Sequence, residues 1–221
     1  VLLFDIGANR GDATYAALNK GFDKVIALEP APIVFAELVK NFIYDSRVIP
    51  LKLAASYTND TMVEFYEARE DGLSSLNKEW LTKDGMPYAG KEHRTIRART
   101  VTIDMLAYMY GEPDLIKIDV EGAEDYVFQG MKKKHGVLTF EWTNITIGQH
   151  QSQLEYLKSL GYTEFGPQFI EHHLQEPEEW FSLEDDRLDD WVIANLAKWE
   201  DGGWQKSGLR PTADVGMCWV R

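Results

Sequence analysis

The stretch VLLFDIGANRGDATYAALNKG, residues 1–21, constrains the chain most. Three apolar residues and Phe4 run into Asp5, and glycine stops the run at Gly7. A short apolar run ended by glycine predicts a fully buried strand. The residues from Asp12 onward predict a helix closed by Gly21. Between them, Gly7 and Gly11 flank Asn9. Two glycines there predict a tight turn and a backbone that comes close to a ligand.

The same beat recurs downstream. KVIALEP predicts a second buried strand broken at Pro30, and APIVFAELVKNF a second helix with Ile33, Phe35, Ala36 and Val39 roughly on one side. RVIPLKLAAS predicts a third strand. Strand, helix, strand, helix, strand implies a parallel α/β sheet with right-handed crossovers and helices on both faces. TMVEFYEA and TIRARTVTI alternate instead, as antiparallel or edge strands do. The glycine- and charge-rich residues between them predict a long loop or lid. TIDMLAYMYG predicts a helix capped by Thr102, DLIKIDV a buried strand, GAEDYVFQGM a short helix and GVLTFEW a strand. GQHQSQLEYLKSLG predicts a helix, and TADVGMCWVR a last strand.

In such sheets ligands bind outside the carboxyl ends of the strands, where the strand order reverses. The turn at Gly7 sits at that end. A dinucleotide fingerprint would need glycine where this chain has Asn9 and Asp12, and no phosphate-binding G-K-[ST] is present. Asp5, leading into the turn, suits a cationic ligand better than a pyrophosphate. S-adenosylmethionine carries both an ammonium and a sulfonium, and fits. Glu29 ends the second strand 18 positions after Gly11. A carboxylate there can accept hydrogen bonds from ribose hydroxyls.

With these residues in place, FDIGANRG, ALEP, LKLAAS, VTID and LIKIDVEGAE resemble, in order and spacing, the FkbM-type methyltransferases. These belong to the class I S-adenosylmethionine-dependent group. The resemblance spans residues 1–145 and implies a doubly wound, Rossmann-like sheet of seven mostly parallel strands, the last one antiparallel. It implies methyl transfer, usually to a hydroxyl of a sugar, glycan or natural product. It also implies one domain over 1–221, with a cofactor core in 1–145 and substrate-side loops and last strands in 146–221. The cofactor residues it points to are Asp5, Gly7, Asn9, Gly11, Glu29, Pro30, Ala54, Ala55, Asp119 and Glu121. Ala54 and Ala55 would pass the adenine, with Asn59 close by, and Ser74 or Ser75 would reach the cofactor or the acceptor.

A second group of residues bears on the chemistry. The crossover rule places the DLIKIDV strand beside the first one. Asp119 at its end, Glu121 just after it and Glu141 on the next strand then converge on one mouth. Methyl transfer to oxygen needs the acceptor hydroxyl activated by a base or a metal. Asp119 and Glu141 are the candidate catalytic carboxylates and the candidate ligands for Mg²⁺ or Mn²⁺. Alternatively, like-charge crowding makes one of them a base. His150 is a further candidate base or ligand. Glu124 reads as a first-turn carboxylate favoured by the helix dipole, and His172 and His173 as surface residues. Trp180, Trp191, Trp199 and Trp204 offer faces for sugar stacking or core packing.

Composition bounds the partners. The chain has 221 residues, 44% of them hydrophobic, and a formal net charge of -13. That charge argues against a basic stripe for nucleic acid. A single cysteine, Cys218, excludes an intrachain disulfide and fits a reducing, cytoplasmic compartment. No apolar run approaches the roughly 18 residues of a membrane span. Val1 already lies inside a strand pattern, so the sequence is expected to be cut from a longer chain. The acceptor is expected to be a small molecule or glycan. The alternatives are a catalytically inactive binding module of the same fold and an NAD-dependent oxidoreductase, the latter disfavoured by Asn9 and Asp12.

Overall fold

The computed structural model describes residues 1–70, 72–86, 88–143, 147–168, 174, 176–177, 180–184 and 215–221. The elements run β1 (Leu2–Ile6), α1 (Asp12–Asn19), β2 (Lys24–Leu28), α2 (Pro32–Phe42), β3 (Val48–Leu51), β4 (Ala54–Ala55) and β5 (Met62–Ala68). Then follow α3 (Lys78–Thr82), β6 (His93–Val101), α4 (Ile103–Tyr110), β7 (Leu115–Ile118) and α5 (Glu124–Gln129). The last are β8 (Val137–Thr143), α6 (Ile147–Ser159), β9 (Glu164–Gln168), β10 (Phe181–Ser182) and β11 (Val215–Val220).

The main sheet has the order β10-β9-β11-β8-β7-β1-β2-β3. Strands β3, β2, β1, β7 and β8 are parallel. The chain order reverses between β1 and β7, which makes the ends of those two strands the switch point. Strand β11 is antiparallel to both β8 and β9, as expected for the last strand. The sheet has eight strands rather than seven, because β10 adds two residues to its edge beyond β9. The residues expected to form one third strand are divided: β3 stays in the main sheet, while β4 joins β6 and β5 in a second, three-stranded sheet. Strands β5 and β6 form the antiparallel pair that their alternation predicts.

Alternation along each central strand feeds two cores. Phe4, Ile6, Ile26, Leu28, Ile116 and Ile118 face one side and pack with residues of α4, α5 and α6. Leu3, Val25, Ala27 and Leu115 face the other and pack against Ala17 of α1 and Leu38 and Phe42 of α2. Helix α2 therefore turns inward a side other than the one that carries Ile33. Leu38 and Phe42 are buried, whereas Ile33 is 63% exposed. Thr102 caps α4 as expected, accepting the Met105 N–H at 3.1 Å. The stretch expected to be a loop holds α3 and a small core of its own, with Tyr66, Leu73, Trp80 and Leu81 buried.

Candidate functional site

A cleft of about 260 Å³ opens at the switch point. Its walls come from the turn after β1, the end of β2, β4, the end of β7 and the loop before α3. Gly7, Asn9, Glu29, Pro30, Ala54, Ala55, Asp119 and Glu121 all line it, and so does Ser74.

The turn after β1 is built differently from an anion cradle. The N–H groups of Gly7 and Ala8 donate to the Leu28 carbonyl at 3.1 and 2.8 Å, and that of Gly11 to the Ala8 carbonyl at 2.8 Å. The Asn9 N–H donates to Glu29 Oε2 at 3.1 Å. These donors are spent on the chain itself, so the turn has little to offer a pyrophosphate. The glycines, too, serve the chain. A Cβ on Gly7, at φ +76°, would sit 1.8 Å from the Asp119 carbonyl oxygen. One on Gly11 would sit 2.2 Å from the Phe42 ring. Gly7 lets the end of β7 close on the turn, and Gly11 lets α1 close on α2. The close approach expected of a ligand is made by the protein.

Glu29 is buried at the end of β2 and accepts from Asn9 through Oε2 and from Ala31 through Oε1, the latter at 2.8 Å. Burial pushes its carboxyl up to about 7, against the pull of those two N–H donors. A carboxylate has about four lone-pair sites, so each oxygen retains capacity for a hydroxyl presented from the cleft.

Asp119 follows β7, and Glu141 lies in β8. One carboxylate oxygen from each of Asp119, Glu121 and Glu141 falls within 4.8 Å of the others, which is the expected convergence. Sequence reasoning missed their counter-charge. Lys117 of β7 is buried, with Nζ 3.0 Å from Asp119 Oδ2 and 3.6 Å from Asp5 Oδ1. Burial opposes its charge, yet Asp119, Asp5 and Glu141 outweigh that and raise its pKa. The signal was a lysine inside an apolar strand, which requires a buried partner.

Glu141 and several other candidates fall outside the cleft lining. Asp5 is fully buried behind it and accepts from Thr14 Oγ1 at 2.6 Å. Gly11 packs inward as described. His150 is buried on α6, with Nδ1 2.9 Å from Gln153 Oε1 and its ring nearly perpendicular to that of Trp142. Asn59 accepts from the Thr102 N–H at 2.8 Å, and Ser75 is buried and accepts from Asn77. Glu124 is no surface carboxylate. It is buried, accepts from the Val120 N–H at 3.3 Å, and burial pushes it up to about 7. Trp180 stacks over Arg221 at 4.0 Å. His172, His173, Trp191, Trp199 and Trp204 lie outside the described residues.

The loop before β6 covers the far side of the mouth. Trp80 Nε1 donates to Glu121 Oε2 at 3.1 Å, and Asn77 Nδ2 to the Gly122 carbonyl at 3.0 Å. A Cβ on Gly122 would fall 2.4 Å from the Trp80 ring, so that glycine admits the indole. Glu121 itself takes a left-handed φ of 57°, as does Asn9 at 49° across the cleft. Non-glycine residues hold such conformations where surrounding contacts enforce them.

The family description methyltransferase FkbM domain matches residues 5–198. The chain belongs to the FkbM methyltransferase family. No curated protein matches the sequence. Among solved structures, a precorrin-6Y C5,15-methyltransferase from Geobacter metallireducens GS-15 is similar at 12% identity, over 100% of this chain and 79% of that one, with a TM-score of 0.42. An S-adenosylmethionine-dependent O-methyltransferase from Thermotoga maritima is similar at 14% identity, over 99% of this chain and 58% of that one, with a TM-score of 0.43. Membership in the FkbM family carries the coarse function: methyl transfer, with S-adenosylmethionine as donor. The cleft fits that donor. It pairs a buried carboxylate at the end of β2 with small residues on β4 and an acidic mouth. Among the described residues, no helix is long and apolar enough to cross a membrane.

Proposed function

We propose that the chain is an S-adenosylmethionine-dependent O-methyltransferase acting on a hydroxyl of a sugar, glycan or related natural product. The observation that carries this reading is the convergence of Asp119 and Glu121, which line the cleft, with Glu141, which lies outside its lining. Glu29 would hold the ribose hydroxyls, Ala54 and Ala55 would leave room for the adenine, and Asp119 would face the cofactor's ammonium. The cofactor supplies an electrophilic methyl group on a good leaving group. The protein's part is then to bring the acceptor oxygen in line and take up its proton.

Three carboxylate oxygens so close repel one another, and a divalent cation would relieve that. Mg²⁺ and Mn²⁺ prefer such oxygen ligands. Asp119, Glu121 and Glu141 would hold the ion, and it would lower the pKa of the acceptor hydroxyl. Lys117 already occupies Asp119 Oδ2, which leaves Oδ1 for the ion. The same like-charge crowding supports a second reading, in which Asp119 or Glu141 takes the proton directly. His150 lies outside both the cleft lining and the group of converging carboxylates, so its expected part as base or ligand is the weaker one.

The reading treats 1–221 as one domain, with its cofactor core in 1–145 and the acceptor chosen by 146–221. A cytoplasmic setting is part of it, supported by the single cysteine. The test is transfer of labelled methyl from S-adenosylmethionine to panels of free sugars, glycans and small phenols. Label in a sugar hydroxyl supports the reading. Label only on nitrogen or carbon overturns O-methylation. Cofactor binding with no transfer to any acceptor favours a binding module.

A further inference from the structure

A lysine in the middle of a buried strand is rare unless its charge is met. Lys117 is 7% exposed and pairs in register with Asp5 on β1 and Thr139 on β8. Its Nζ donates to the Gly7 carbonyl oxygen at 3.1 Å, and lies 3.0 Å from Asp119 and 3.6 Å from Asp5. Gly7 and Asp119 lie within hydrogen-bond reach of the ammonium, whereas Asp5 Oδ1, buried with no hydrogen-bond partner of its own, meets it only as a longer ion pair. Asp5 is steadied from the helix layer by Thr14 of α1. Gly7 and Asp119 line the cleft, whereas Asp5 does not.

The two cleft segments that Lys117 joins already touch. The Asp119 N–H donates to the Ile6 carbonyl at 3.0 Å, and Gly7 lacks a side chain where the Asp119 carbonyl passes. That contact fixes the backbones. It leaves the Asp119 carboxylate free to rotate, and the neighbouring acidic oxygens push it away. The ammonium of Lys117, which itself takes part in the cleft lining, supplies the opposing pull.

We propose that Lys117 is a positioning residue whose ammonium fixes the Asp119 carboxylate and the Gly7 carbonyl in the arrangement that receives S-adenosylmethionine. The proposal rests on the cofactor reading above. It separates two tasks in one side chain: neutralising Asp5 within the fold, and aiming Asp119 within the cleft.

Removing Lys117 alone strands Asp5, so the informative variant is charge-balanced. Asp5→Asn with Lys117→Met removes both buried charges, and Asp5→Asn alone is the control. Thermal unfolding reports folding, and calorimetry with S-adenosylhomocysteine reports binding. Asp5→Asn sets the reference affinity, whatever its own effect. The double variant is expected to unfold cooperatively near the control's temperature yet bind at least about tenfold more weakly. Adding Asp119→Asn to each background completes the cycle. Once Asp119 is gone, Lys117→Met should have little further effect on binding. Double-variant affinity equal to the control, independent losses at Lys117 and Asp119, or a double variant that does not fold would each overturn the proposal. A wild-type chain that does not bind S-adenosylhomocysteine would overturn the cofactor reading first and this proposal with it.

Discussion

The Asn9 N–H donates to Glu29 Oε2 at 3.1 Å, so the carboxylate that faces the cleft also pins the turn after β1 to the end of β2. Glu29 thus shapes the cleft as well as lining it. Glu29→Ala should weaken S-adenosylmethionine binding by about 1–3 kcal/mol, through unpaired N–H groups and lost ribose contacts together. Calorimetry on folded variant protein checks this. Unchanged affinity removes Glu29 from the site.

Gly7 and Gly21 make a controlled pair, at φ +76° and +89°. A Cβ on Gly21 meets nothing within 4 Å, whereas one on Gly7 meets the Asp119 carbonyl. Gly21→Ala should cost only the left-handed strain, about 1–2 kcal/mol. Gly7→Ala should cost that and a displaced turn, enough to lower the melting temperature several degrees further. Equal melting temperatures would show that β7 does not close on Gly7 as described.

Stability should depend on pH through Glu29 and Glu124. Both are near 7 in the folded chain and start from an ordinary value of 4.5. Between those values the folded chain keeps protons that the unfolded chain has released. Their contribution is therefore full below about pH 4.5 and lost as pH rises through 7. Every tenfold difference in proton affinity between the two states is worth about 1.4 kcal/mol. Melting temperatures without ligand should fall from pH 5 to pH 8, and Glu124→Gln should flatten that slope. A slope unaffected by Glu124→Gln would place the titration elsewhere.

The acidic mouth separates the two chemical routes. If Asp119, Glu121 and Glu141 act through a metal, chelation should stop turnover, leave cofactor binding nearly intact, and be reversed by Mg²⁺ or Mn²⁺. If one carboxylate is the base, chelators should do nothing. Asp119→Asn should then slow transfer on the order of 10²–10⁴-fold. Full activity in Asp119→Asn with Glu141→Gln would defeat both routes.

The net charge of -13 leads to a simpler expectation. Random DNA or RNA should show no salt-sensitive binding at physiological ionic strength. Micromolar binding that weakens steeply with salt would reveal a basic patch.

What could be read in the sequence was local. The run from Leu2 to Ile6, the stop at Gly7 and the matching pattern ending at Asp119 place two strands and the switch point between them. Short periodic runs carry that information in neighbouring residues. What escaped was long-range. That Gly7 makes room for Asp119, and Gly11 for Phe42, depends on partners far along the chain. Lys117 reads as one polar break in an apolar strand until Asp5 is seen beside it. Glu124 is the helix-start acid it reads as, but its burial escaped because packing from other elements sets it. The inner face of α2 is hidden for a related reason: eight of its eleven residues are apolar, so periodicity discriminates weakly.

Strand β11 lies between β8 and β9 although it follows both in the chain. During synthesis, β8 and β9 emerge well before the strand that fills the space between them. Until Val215–Val220 is made, each presents an unpaired edge able to capture another chain. A nascent protein of this architecture therefore depends on shielding until that strand is made, and a premature stop before residue 215 should yield aggregates rather than a smaller folded domain.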